Sequence, residues 1–258
     1  MSFIDTNIWC GSWPFAPLPR NEAGDIERRL AGFGIAEAFV SPFETVFQVD
    51  PMPGNRAMFK ALRKRKSLRP LPVINPGTPA WEDHLEEVSA NPAVLGLRLL
   101  PVYHGYRLNS VALRGLVERV EVKGLRLVIT ARLVDERHEH QAVSIKALTV
   151  SQLAGFMRRF PKTNPLIQGL GIHELKTLSQ EDGLFSTDTS FAEWEDTLKV
   201  LKAFLPVSRI FYGSLSPLQV TRAQVDKVRL SSISLRQRES VASGNARRFF
   251  GIRCDGVI

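Results

Sequence analysis

The residues best suited to chemistry are imidazoles, carboxylates and guanidiniums placed just after short apolar runs. His104 sits in Tyr103-His104-Gly105-Tyr106, where two rings flank a flexible glycine. A histidine titrates near neutral pH and suits general acid–base work, with Asp5 or Glu136 as a carboxylate helper. Arg98 and Arg137 offer bidentate grips for an anionic substrate. Asn7, Tyr103, His138 and Ser214 complete the candidate substrate-binding set.

Each of these has a structural reading beside the chemical one. Asp5 can cap loop amides, and Asn7 can stabilise a turn. A guanidinium inside a strand, as at Arg98, needs either a carboxylate partner or an anionic ligand. Trp13-Pro14-Phe15 reads as a lid or packing plug, or as a stacking surface. Ser214 lies in Gly213-Ser214-Leu215-Ser216-Pro217, which lacks the Gly-x-Ser-x-Gly of a nucleophile elbow. The densest polar run is Asp135-Glu136-Arg137-His138-Glu139-His140. Two histidines and a carboxylate there form an alternative metal set, although loop charges of this kind are mostly solvated.

The elements that must carry these residues alternate along the chain. Strands are predicted at 3–5, 37–41, 71–75, 96–100, 125–130, 166–169, 184–187 and 209–213. Helices are predicted at 25–31, 55–66, 81–89, 111–120, 151–160, 174–178 and 191–204, with closing helices near 218–229 and 234–249. Strands alternating with helices imply a parallel sheet. Eight such units favour an α/β TIM-type (β/α)₈ barrel occupying residues 1–258 as one domain. No Gly-rich phosphate loop follows the first strand, which argues against a dinucleotide fold. In such a barrel functional groups gather at the C-terminal ends of the strands. The expected pocket also draws on Glu44, Arg132, Asp135 and His173.

Composition fits this picture. The chain has 258 residues, and its 44% hydrophobic content suffices for a sizeable core. No basic-then-apolar leader opens the chain and no apolar run reaches membrane-spanning length, so a cytoplasmic protein is expected. Cys10 and Cys254 are then expected as reduced thiols. Net charge is +8, concentrated in residues 60–69 and 222–253. Aromatics do not interleave with those charges, so they read as solvated helix faces rather than a nucleic-acid surface. The same field would draw a small anionic molecule. A homo-oligomer stays open.

Four motifs carry a resemblance. Phe3-Ile4-Asp5-Thr6-Asn7-Ile8-Trp9 resembles the strand-one Ile-Asp-x-His-x-His of amidohydrolase-related proteins of carboxymuconate-semialdehyde decarboxylase type. Gly96-Leu97-Arg98-Leu99-Leu100-Pro101 is similar to their strand-four Gly-x-Arg-hydrophobic-x-Pro. Ile210-Phe211-Tyr212-Gly213-Ser214-Leu215-Ser216-Pro217 resembles their Phe-Gly-Ser-Asp-x-Pro, and Gly244-Asn245-Ala246-Arg247-Arg248-Phe249-Phe250 their closing Asn-Ala-x-Arg-Leu-Phe. The departures fall on the metal ligands. Asn7 and Trp9 replace the paired histidines, the strand-six histidine falls about at Gly169, and the strand-eight aspartate falls at Leu215. Asp5, Asn7, the 11–15 segment, Tyr103-His104-Gly105-Tyr106 and Asp135-Glu136-Arg137 resemble a subgroup sharing these substitutions.

The resemblance implies a superfamily barrel without the usual metal centre and with no cofactor. One expectation is a hydrolase or decarboxylase for a small carboxylated substrate, working through His104, Asp5 and Glu136. The other is a catalytically inactive barrel that binds a small anion or a protein partner.

Overall fold

The alternation of apolar and amphipathic stretches becomes eight parallel strands, each followed by helical chain, in a computed structural model that describes residues 1–135 and 145–252. The strands are β1 (Phe3–Cys10), β2 (Ile35–Pro42), β3 (Leu68–Pro70), β4 (Gly96–Leu99), β5 (Arg126–Thr130), β6 (Leu166–Gln168), β7 (Ser186–Asp188) and β8 (Ile210–Phe211). The main helices between them are α1 (Ala23–Ala31), α2 (Met52–Leu62), α3 (Trp81–Ser89), α4 (Pro101–His104), α5 (Val111–Val122), α6 (Val150–Arg159), α7 (Ile172–Leu178) and α8 (Thr197–Lys202). After β8 come α9 (Thr221–Arg229), α10 (Leu235–Glu239), a π turn over Ser240–Gly244, and α11 (Asn245–Phe250).

Regular ladders join β1 to β3 and β4 to β8. Backbone bonds join these two sheets at both edges. On one side Arg98 N donates to the Pro72 carbonyl at 2.8 Å, and Ile74 N to the Arg98 carbonyl at 3.2 Å. On the other, Thr6 N donates to the Tyr212 carbonyl at 3.1 Å, and Trp9 N to the Ser216 carbonyl at 3.0 Å. The arrangement is that of a TIM-type barrel.

Several boundaries differ from expectation for physical reasons. The third strand was expected over 71–75, but the ladder lies at Leu68–Pro70. Pro70 and Pro72 bring no N–H, so beyond them only a bridge from Val73 to Arg98 remains. The predicted helix over 191–204 shrinks to α8 because the Asp196 carboxylate accepts from Lys199 N at 3.2 Å and starts the helix there. The first strand runs to Cys10 and is buried along its whole length. Among the described residues Cys10 is a buried free thiol, which burial pushes up to about 12; Cys254 lies outside them.

Side chains alternate along each strand, so the barrel interior is layered. The lower layer is Ile4, Phe39, Leu71, Val128, Leu166 and Phe211, plugged from below by Phe249 and Phe250 of α11. The upper layer is Trp9, Phe43, Val73, Leu100, Leu133 and Leu215. Between them the alternation places Asn7, Ser41, Arg98, Thr130, Gln168 and Asp188, all buried. No helix among the described residues is long and apolar enough to cross a membrane.

Candidate functional site

β1 supplies the centre of this polar middle layer. Its pairing with β2 shifts register between Asp5 and Ile8. There the Asp5 carboxylate replaces the ladder, its Oδ1 accepting from Asn7 N and Ser214 N, each at 3.0 Å. The chain is thereby pinned to the turn after β8, and Asn7 is turned into the barrel.

Asn7 then links both halves of the layer. Its Nδ2 donates to Asp188 Oδ2 at 3.0 Å, and its Oδ1 accepts from Trp9 Nε1 and Arg98 Nη1, each at 3.1 Å. Arg98 Nη1 also reaches Thr130 Oγ1 at 3.1 Å, and its guanidinium lies 4.3 Å from the Trp9 ring centroid. Asp188 Oδ1 accepts from Ser190 Oγ at 2.7 Å and Ser190 N at 3.2 Å. Gln168 Nε2 donates to the Thr6 carbonyl at 2.9 Å. Gly213 makes room for Asp188, since a Cβ there would sit 2.3 Å from Oδ2.

Burial dominates the electrostatics. It pushes Asp5 up to about 6, against the hydrogen bonds from Ser214 and Asn7 that lower it. It raises Asp188 in the same way. Burial draws Arg98 down to about 9, with Asp188 and Asp5 opposing the shift. The guanidinium therefore keeps its charge at neutral pH.

Asp5, Asn7, Arg98 and Ser214 are thus brought together; Ser214 reaches Asp5 through its backbone N–H and its side chain, and its Oγ also accepts from Ser216 N at 3.1 Å. Tyr103 stands apart, accepting from Leu133 N at 2.8 Å on the wall of a cavity above the upper apolar layer. His104 lies on α4 with Nε2 2.8 Å from the Thr45 carbonyl, and it is not among the cavity's lining residues. Burial lowers its pKa. Glu44 holds Ser12 N at 3.1 Å, and Arg132 is paired with Glu174. His173 packs its ring near Trp194. Glu136, Arg137, His138 and His140 lie outside the described residues.

The sequence reading missed Asp188, Ser190, Thr130 and Gln168. Ending the seventh strand at Thr187 hid the signal, which was an acid followed by Thr189 and Ser190 at a strand's C-terminal end.

The cavity has a volume of about 420 Å³. Its walls are largely aromatic and aliphatic, with Trp13, Phe15, Phe47, Tyr103, Leu133 and Phe191 prominent, and Asp135 and Gln219 as polar members. Trp13 contacts Phe15, Phe43 and Phe47 at 5.6, 5.3 and 5.5 Å between centroids.

No family model and no curated protein matches the sequence. Solved structures match in fold over nearly the whole chain. One is 5-carboxyvanillate decarboxylase LigW from Sphingomonas paucimobilis, at 17% identity, TM-score 0.76, and coverage of 98% of this chain and 99% of that one. A dihydroxybenzoic acid decarboxylase from Polaromonas sp. JS666, with bound manganese and 2-nitroresorcinol, aligns at 12% identity, TM-score 0.78, and 99% of each chain. Amidohydrolase 2 from Bifidobacterium longum subsp. infantis aligns at 16% identity, TM-score 0.65, and 98% and 100% of the two chains.

Manganese in one of these barrels poses the question of fit. A protein-held transition metal needs about three donor side chains. Among the described residues no three His, Cys, Asp or Glu side chains come together in that way. Near Asp5 and Asp188 the neighbours are an amide and a guanidinium, and a cation repels a second cation. Gly169 adopts φ +85°, and a Cβ there would lie 2.4 Å from the Arg132 carbonyl oxygen, so a side chain at that position meets a backbone wall. Leu215, at φ 52°, turns a buried alkyl group into the upper apolar layer. The donor set among the described residues does not fit a divalent ion. The chain has the TIM-barrel fold of its structural neighbours, two of them decarboxylases and one an amidohydrolase by name.

Proposed function

We propose that this barrel binds a small aromatic carboxylate in the cavity at its C-terminal mouth. The supporting observation is the separation of the cavity from the polar layer. The cavity is ringed by aromatic and aliphatic side chains, while Asp5, Asn7, Arg98 and Ser214 are 0–1% exposed below Trp9, Phe43, Leu100 and Leu215. A volume of about 420 Å³ lies within the range of small-ligand pockets and takes a substituted single ring. Ring faces favour an aromatic guest. The net charge of +8 favours an acid over its neutral parent. The fold neighbours that act on carboxyvanillate and dihydroxybenzoate make this ligand class the first to try.

Thermal-shift titration with 2,6-dihydroxybenzoate, with its neutral parent resorcinol, and with an aliphatic dicarboxylate tests the reading. The aromatic acid should raise the melting temperature most, and Leu133→Trp, which fills the cavity, should abolish the rise. An equal response in wild type and Leu133→Trp, or no response to any aromatic acid, rejects it.

A second reading makes the chain a decarboxylase or hydrolase acting on such an acid. Arg98 favours it, because Nε and Nη2 have no hydrogen-bond partner and form an edge that matches a carboxylate. Asp5 near pKa 6 would supply acid–base chemistry, with His104 and Glu136 as further proton carriers. Asn7, Tyr103, Arg137, His138 and Ser214 would line the substrate. This reading requires the Trp9–Phe43 layer to open. Turnover of an aromatic acid that persists unchanged in Asp5→Asn and His104→Ala would remove both groups from such a mechanism.

A further inference from the structure

The middle of this barrel holds a permanent positive charge supplied by the protein itself. Arg98 is wholly buried on β4, far from solvent that could screen it. Its Nη1 is held by Asn7 Oδ1 and Thr130 Oγ1, each at 3.1 Å, and the guanidinium lies against the Trp9 indole at 4.3 Å. Two wholly buried carboxylates, Asp5 and Asp188, lie within electrostatic reach. Asn7 ties one of them to the guanidinium through a single amide, with Nδ2 on Asp188 and Oδ1 on Arg98. An uncompensated pair of interior carboxylates would be strongly unfavourable, and so would an uncompensated guanidinium.

We propose that the Arg98 guanidinium is the resident cation of this barrel's polar layer, balancing Asp188 and Asp5, whereas a barrel of the same fold was solved with bound manganese. This layer, among the described residues, would then need no metal. The replacement is coordinated across elements. Arg98 brings the charge from β4, Asn7 from β1 is an amide rather than a ligating imidazole, and Trp9 supplies a ring face for the cation. Just after β6, Gly169 leaves the Arg132 backbone close behind it, where a ligating side chain would meet the Arg132 carbonyl. This inference concerns the layer beneath the cavity and does not depend on which ligand the cavity takes.

The first measurement is the metal content and melting temperature of the full wild-type chain, purified without chelators and then treated with EDTA or with added manganese. Substoichiometric metal and an unchanged melting temperature are expected. One equivalent of divalent metal, together with a fall in melting temperature on chelation, overturns the proposal.

The second is a double-mutant cycle between Arg98→Met and Asp188→Asn. Asp188→Asn should change the melting temperature more favourably in Arg98→Met than in the wild type, because the charge it removes faces a cation in one background and none in the other. The same change in both backgrounds overturns the proposal. Where Arg98→Met does not fold, Arg98→Lys takes its place. A lysine keeps the charge and should stay folded and metal-free, and a lysine variant that folds only with added manganese counts against the inference.

Discussion

The amide oxygen of Asn7 accepts from Arg98 Nη1 at 3.1 Å across a separation of 91 residues, which locks β1 to β4 through the barrel interior. The other end of the same amide holds Asp188. One short side chain thus sets the distance between a buried cation and a buried anion.

Asn7→Ala removes the acceptor shared by Arg98 and Trp9 and the donor to Asp188. Unsatisfied buried polar groups cost about 1–3 kcal/mol each, partly offset by relaxation, so a net loss of about 3 kcal/mol is expected. Urea unfolding monitored by circular dichroism measures it. A loss below about 1 kcal/mol would show that the network tolerates the gap.

The contribution of Asp5 to stability should fall as pH rises from about 4 to about 6. The folded pKa of Asp5 is raised from 3.8 to about 6. In that window the native state holds a proton that the unfolded state has released. The stabilisation is therefore complete below the unfolded pKa and is lost as pH climbs through the folded one. Two pKa units correspond to roughly 3 kcal/mol. Asp188, also raised, acts with the same sign. Asp5→Asn keeps an oxygen for Asn7 N and Ser214 N but cannot ionise. Its pH–stability curve, compared with the wild type, should be flatter across this window and should lie above it near pH 7.

Gly169→Ala should be among the more damaging single-methyl additions in the chain. The residue has φ +85°, and the new Cβ would approach the Arg132 carbonyl oxygen to 2.4 Å. Strain in the backbone and the clash together should exceed about 2 kcal/mol. Thermal unfolding of the purified variant checks this, with Gly155→Ala, where nothing lies within 4 Å, as the tolerated control.

His104 should stay neutral to a lower pH than an exposed histidine. Burial lowers its pKa, and Nε2–H is committed to the Thr45 carbonyl at 2.8 Å. Its imidazole protons should titrate in NMR below the range of an exposed histidine. Because the folded pKa is depressed, its contribution to stability is present above the unfolded value and declines as pH falls below it. A midpoint at or above 6.5 would contradict the placement.

Trp13→Ala should weaken binding of an aromatic acid about tenfold, or about 1.4 kcal/mol, because it removes one ring wall of the cavity. Calorimetric titration reads the change, with the pH–stability curve of the variant expected to match the wild type.

The sequence by itself determined the barrel and two residues of its middle layer, Asn7 and Arg98. The alternation of short apolar runs with amphipathic stretches is a local property, so seven of the eight strands, α3 over Trp81–Ser89 and the placing of Asp5 and Arg98 in strands were legible residue by residue, whereas the third strand lies just before its expected span and the first runs on through Asn7. What only the tertiary structure decided is which polar groups face one another. Asp188 meets Asn7 because the ring closes β8 onto β1 and so brings a side chain of β7, one strand further round, within reach across the interior, a relation between residues 181 apart that no local spacing encodes. The same closure leaves Arg98 among buried carboxylates instead of in the open cavity, and turns His104 to the Thr45 carbonyl, because interior and exterior are properties of the closed sheet and not of any one strand.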